Sequence, residues 1–221
     1  MNDPAGHISD ILAYHSTIAY LKQWVDDANA AGTPTILLSV SDHETGGISL
    51  GRQLGNAYPE YAWYPDAVAN VTHSAEYLGA QVAGYGQATK VWLREEVFEK
   101  GLGIGDATVE EVDDVWGHRS NAYHTARTLA DAISRRAQIG WSTAGHSGVD
   151  VNLYAYGYNA TGLAGNRENT EIGEHIMHMM GLDLSVVTME LNKKLDWFSS
   201  TAGKVKNPNR LSRVDHYHGD F

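Results

Sequence analysis

Thr35-Ile36-Leu37-Leu38-Ser39-Val40 is an apolar run that passes directly into Ser41-Asp42-His43-Glu44-Thr45-Gly46-Gly47. The run reads as a buried strand, and an acid and an imidazole stand side by side at its carboxyl end. In open α/β sheets, ligands collect just outside the carboxyl ends of strands. Asp and His are hard-to-borderline donors of the kind zinc accepts. The stretch therefore points to an α/β fold with a metal site at a strand end, at Asp42 and His43.

What precedes it supports the same class. Asp3 is a good N-cap and Pro4 suits the first helical position. Ile8, Ile11, Leu12, His15, Ile18 and Val25 recur at helical spacing until Gly32-Thr33-Pro34 stops the helix. His15 falls on the apolar face and is expected half-buried. Helix, short turn and buried strand in succession are an α/β signature.

After Gly47 the pattern turns helical. Residues from about 50 to about 140 read as a helical insertion between two pieces of one sheet. Within it, Asp66 opens a helix running toward Gly84, a second covers Lys90 to Lys100, and a fourth spans Ala122 to Ala137. Between these last two, Thr108-Val109-Glu110-Glu111 is a capping-box pattern that opens the third helix. Tyr58-Pro59-Glu60-Tyr61-Ala62-Trp63-Tyr64 is expected to pack the insertion. The sheet resumes near Trp141, with a period-two strand from Val149 to Tyr156 that Gly157 ends. A helix with Ile172, Ile176, Met179 and Met180 on one face follows, then a last one from Ser185 to about Leu195. Residues 1–198 thus read as one partial domain and 199–221 as a polar tail. Only two or three strands are legible, fewer than a sheet covered on both faces requires.

Sixteen basic against 27 acidic side chains give a formal charge of −11, which disfavours nucleic acid and anionic lipid as partners. The same acidity does not suit an anionic substrate unless metal ions invert the local field. With no cysteine there is neither a disulfide framework nor a thiolate metal site, so a metal must sit on His and carboxylate. No stretch approaches the roughly 18 apolar residues of a membrane span, and Met1-Asn2-Asp3-Pro4 does not read as a signal peptide. Asn70-Val71-Thr72 and Asn159-Ala160-Thr161 are glycosylation candidates.

A third candidate ligand is His146, in Gly145-His146-Ser147-Gly148, where flanking glycines let the backbone approach a ligand closely. His175 and His178 read as structural, and His216-Tyr217-His218 as part of the solvated tail. Phosphate-binding glycine loops, GxSxG elbows and HExxH helices are absent from the sequence.

Taken together, these segments resemble the alkaline phosphatase family, in its eukaryotic, vacuolar-type branch. Thr35 to Gly47 is similar to that family's zinc-ligand segment. Gly145-His146-Ser147-Gly148-Val149-Asp150-Val151, running into Tyr154-Ala155-Tyr156-Gly157, is similar to the segment supplying a later zinc-binding His. Asn2-Asp3-Pro4-Ala5 and Asn166-Arg167-Glu168-Asn169-Thr170-Glu171-Ile172-Gly173 match as well, in the family's order. The resemblance implies a large central sheet flanked by helices, of which this chain is the C-terminal part, and a homodimer in the intact family. It implies two zinc ions and one magnesium, with Asp42 and His43 on one zinc and His146 on the other. The implied reaction is hydrolysis of phosphate monoesters, in which a serine attacks phosphorus in line and the phosphoserine is then hydrolysed. The nucleophilic serine, the phosphate-gripping arginine and the magnesium ligands lie further upstream in the family, and none has a matching position here. The 221-residue chain is therefore expected to be inactive by itself. The alternative is a non-catalytic zinc-binding or interaction fragment. The resemblance also implies a vacuolar or secretory-pathway location, with any membrane anchor upstream.

Overall fold

A computed structural model of the chain describes residues 2–193; the expected tail, His216 and His218 among it, lies outside the described residues. The chain divides into two compact units, Met1–Ala160 and Thr161 onward.

The first unit begins with helix α1 (Pro4–Ala30), capped as expected by Asp3. Asp3 Oδ1 accepts from the amides of Ala5 and Gly6, while Oδ2 accepts from the Ala75 amide at 2.7 Å. One buried carboxylate thus satisfies orphan donors at the starts of two helices. At the other end, Asn29 brackets Thr35, with Nδ2 donating to its carbonyl and Oδ1 accepting from its amide. That clamp fixes the turn into strand β1 (Ile36–Val40).

β1 pairs with β4 (Leu153–Gly157), and the pairing is antiparallel: Ile36 faces Gly157 and Val40 faces Leu153. This corrects one expectation: the paired strand starts at Leu153 and not Val149. Hydrogen bonds from Lys22 Nζ to Tyr156 Oη (2.8 Å) and from Tyr156 Oη to Asp26 (2.6 Å) fasten β4 to α1.

Strand β2 (Ser49–Leu50) pairs antiparallel with β3 (Ile139–Gly140), forming a separate two-stranded ladder. The sheet therefore does not resume at Trp141. The ladder closes the base of the helical insertion, where both flanking chains enter and leave.

Inside the insertion, the expected helix from Asp66 to Gly84 is two helices. These are α2 (Asp66–Ala69) and α3 (Ala75–Gly84), the latter capped by Ser74 Oγ on the Tyr77 amide. Helix α4 (Lys90–Trp92) continues as a π-helix over Leu93–Gly101. Helix α5 (Val109–His118) carries the expected reciprocal capping box between Thr108 and Glu111, and α6 runs from Ala122 to Ala137. Gln138 follows α6 in the left-handed conformation and turns the chain into β3.

The buried core lies in this helical body and not around the β1–β4 pair. Leu78, Leu93, Val97, Phe98, Leu102, Val115, Leu129 and Ile133 are all essentially inaccessible. By contrast, most of the apolar stripe of α1 is open: Ile11 and Leu12 are 58% and 62% exposed, and His15 is exposed and not half-buried. Tyr58 and Tyr61 are about 80% exposed, so the aromatic segment does not pack the insertion as expected. Spacing decides which residues share a face, but not whether that face finds a partner.

The second unit holds α7 (Asn169–Met180) and α8 (Ser185–Lys193). Glu168 and Glu171 form a capping box, and Gly181, in the left-handed conformation, ends α7. The expected apolar face of α7 is not buried, since Ile176 and Met180 are exposed. His175 packs against Gly162, whereas His178 is exposed.

Candidate metal centre

The antiparallel register decides where the candidate ligands meet. His43 lies three residues beyond the end of β1 and His146 seven before the start of β4. Because Val40 faces Leu153, those ends are the same end of the strand pair. The two imidazoles stack there, centroids 3.5 Å apart and planes inclined by 16°.

Each ring is offered by a loop with its own local reasons. Beyond His43, Gly46 and Gly47 sit at φ +65° and +61°, which L side chains adopt reluctantly. The amides of Ser142 and Thr143 both donate to the Gly46 carbonyl, so the turn is knitted to the segment leading to His146.

His43 Nδ1 lies 2.7 Å from the Glu44 carbonyl oxygen. A carbonyl only accepts, so Nδ1 carries the proton and a neutral His43 bears its lone pair on Nε2. Nε2 in turn faces Asp42 Oδ2 at 3.2 Å. Two acceptors at that distance repel unless a positive charge, a proton or a metal ion, lies between them. The spacing is that of two ligands on one tetrahedral zinc, which stand ~3.3 Å apart for bonds of about 2 Å.

His146 belongs differently. An imidazole lone pair lies in its ring plane, so two nearly parallel rings do not aim at one point. No group of three or more His, Asp or Glu side chains that could hold one ion occurs among the described residues. The donor chemistry, imidazole and carboxylate, fits zinc.

Glu44 was not singled out from the sequence, although it stands inside the decisive motif. Its Oε1 accepts from the Gly47 amide at 2.6 Å and its Oε2 from the Ser147 amide at 2.8 Å, across 103 residues of chain. The Ser147 side chain first, and then the surrounding amides, hold this carboxyl below the usual range against the opposing effect of partial burial. Of the two Ser147 groups, the amide makes the well-formed bond, since Ser147 Oγ makes none of acceptable geometry.

A cavity of about 750 Å³ opens elsewhere in the first unit, lined by Arg52, His124, Arg127, Asp131 and Trp141 among others. Neither Asp42, His43 nor His146 lines it. Asn70 and Asn159, the glycosylation candidates, are both exposed, Asn159 at φ +55°.

Fold and site together define a mixed α/β protein with histidine and carboxylate donors gathered at one end of a strand pair. The chain belongs to the alkaline phosphatase family, whose sequence model matches residues 1–182. It is 39% identical over 201 residues to the repressible alkaline phosphatase of Saccharomyces cerevisiae, covering 85% of this chain and 35% of that protein. It is 36% identical over 190 residues to the alkaline phosphatase of Schizosaccharomyces pombe, covering 86% and 35% respectively. These two relatives fit the eukaryotic branch of the family. The crystal structure of a cold-active alkaline phosphatase from a psychrophilic Shewanella shares the fold, with a TM-score of 0.64 and 26% identity. That match covers 80% of this chain and 41% of the Shewanella chain. The chain spans about a third of the length of the yeast relatives it matches.

Proposed function

We propose that Asp42 and His43 hold one zinc ion and His146 a second, as this chain's share of a two-metal centre for phosphate monoester hydrolysis. One observation carries the reading: with Nδ1 held by the Glu44 carbonyl, His43 Nε2 faces the Asp42 carboxylate at 3.2 Å, a spacing compatible with two ligands of one zinc. Family membership supplies the reaction class.

When bound, a pair of such ions supplies Lewis-acid activation of the nucleophile and stabilisation of the leaving oxygen. The chain's own residues do the rest of what is proposed here. Asp42 and His43 present donors from one turn, His146 from another, and the antiparallel pair keeps the two turns adjacent. No residue of this chain is assigned to magnesium. Residues 1–198 are then part of a larger phosphatase domain, and the intact domain, not these 221 residues by themselves, performs turnover.

Calorimetric titration of the metal-free chain with zinc tests the reading. Binding is expected, weakened at least tenfold by His43→Ala and by His146→Ala; unchanged affinity in both variants would sink it. A chromogenic phosphate monoester is expected to show negligible zinc-dependent turnover with the chain by itself, and measurable turnover would overturn the partial-domain reading.

A vacuolar or secretory-pathway location accompanies this proposal, and so does glycosylation at the exposed Asn70 and Asn159. No helix among the described residues is long and apolar enough to cross a membrane. Enzymatic deglycosylation of protein from a eukaryotic host is expected to shift its mass by two glycans; an unmodified mass would exclude the sequons.

A further inference from the structure

Glu44, next in sequence to His43, does two things at once. The main-chain carbonyl of Glu44 receives His43 Nδ1 at 2.7 Å, which fixes the ring's rotation and turns Nε2 toward Asp42 Oδ2. Its carboxylate receives the amide of Ser147, the residue next to His146, at 2.8 Å, and the amide of Gly47 at 2.6 Å. Both carboxylate oxygens are therefore engaged by backbone donors, which suits a brace and not a metal ligand. Charge-assisted bonds of this kind are roughly twice as strong as neutral ones.

The brace is needed because the strand pairing does not reach the histidines. The ladder stops at Val40 and Leu153, so the stacked rings lie three positions beyond it on one strand and seven before it on the other. His146 stands in the glycine-flanked run Gly145-His146-Ser147-Gly148, and glycine favours backbone freedom. The ring spacing of 3.5 Å must be set by contacts beyond the sheet. We propose that Glu44 is the positioning residue that sets His43 and His146 side by side, and so determines the separation of the two bound ions. The inference rests on the metal reading for its functional consequence, but its structural core does not.

The test uses the full chain, first without metal. In proton NMR, stacked imidazoles shift one another's ring signals, so those of His43 and His146 are expected to stand apart from solvated histidines. His43→Ala and His146→Ala assign them. In Glu44→Ala both sets are expected to move to solvated positions, and in Glu44→Gln only part of the way, since the amide keeps one acceptor oxygen. Zinc affinity is expected to fall about 10–100-fold in Glu44→Ala, the usual loss when a residue orienting a ligand is removed. The melting curve of the helical body is expected to stay unchanged. Histidine signals that stay put in Glu44→Ala would overturn the proposal whatever zinc does. Complete loss of zinc binding in Glu44→Gln with undisturbed histidine signals would also overturn it, making Glu44 a ligand. Ring signals that move in Glu44→Ala, in a protein whose wild type binds no zinc, would support the brace while the metal reading fails. Glu44→Gln is close to isosteric and keeps the test open if Glu44→Ala does not fold.

Discussion

Gly47 shows how closely the site loop is packed. At φ +61°, an added Cβ would stand 2.7 Å from Ser142 Oγ. A left-handed conformation costs an L-residue roughly 1–2 kcal/mol before any clash is counted. Gly47→Ala is therefore expected to lower stability by at least about that amount and to weaken zinc binding through the displaced turn; circular-dichroism melting beside zinc titration measures both. Of the three candidate ligands, all were legible from residue type and motif. Their mutual geometry was not, because the stacking of His43 on His146 joins residues 103 positions apart. Glu44 was hidden in plain view: a Glu in a turn gives no sign in sequence of the amide it will reach.

At the scale of elements, the capped helices behaved as their sequences required. Thr108 Oγ1 accepts from the Glu111 amide at 3.1 Å while Glu111 Oε2 accepts from the Thr108 amide at 2.9 Å. Thr108→Ala is expected to cost about 1 kcal/mol, read from a chemical melt. Glu111 also receives Arg136 through its two terminal guanidinium nitrogens, at 2.7 and 2.9 Å. Arg136 and, against burial, the Thr108 amide hold the Glu111 carboxyl below its ordinary value of 4.5. A carboxyl whose folded value is depressed stabilises the protein above its unfolded value and loses that contribution as pH falls through the folded one. Stability is thus expected to decline as pH drops below about 4.5, and less so in Glu111→Gln, whose side chain does not titrate. An identical pH profile in the variant would count against the pair. α5 opens at its expected capping box and α6 kept its expected bounds, because caps and periodicity act over four residues. The helix expected from Asp66 to Gly84 did not, since Ser74 caps a new helix inside it.

Over the whole molecule, stability and site are located in different places. The core belongs to the helical body of the first unit, with Phe98 fully inaccessible, whereas α1 turns Ile11 and Leu12 to solvent. Phe98→Ala is expected to cost about 3–5 kcal/mol and Ile11→Ser no more than about 0.5 kcal/mol. Equal losses in the two variants would contradict this placement of the core.

Legible in the residues alone were the α/β class, the capping box that opens α5, the span of α6, the strand from Ile36 to Val40, and the donor types Asp42, His43 and His146 as candidate ligands. Each of these rests on residue type or on contacts within a turn of chain. The folded chain adds that β1 and β4 run antiparallel, that the loops carrying His43 and His146 therefore share one end of the pair, and that Glu44 bridges them. Those outcomes depend on strand register and on hydrogen bonds spanning more than a hundred residues, and neither leaves a local periodicity to read.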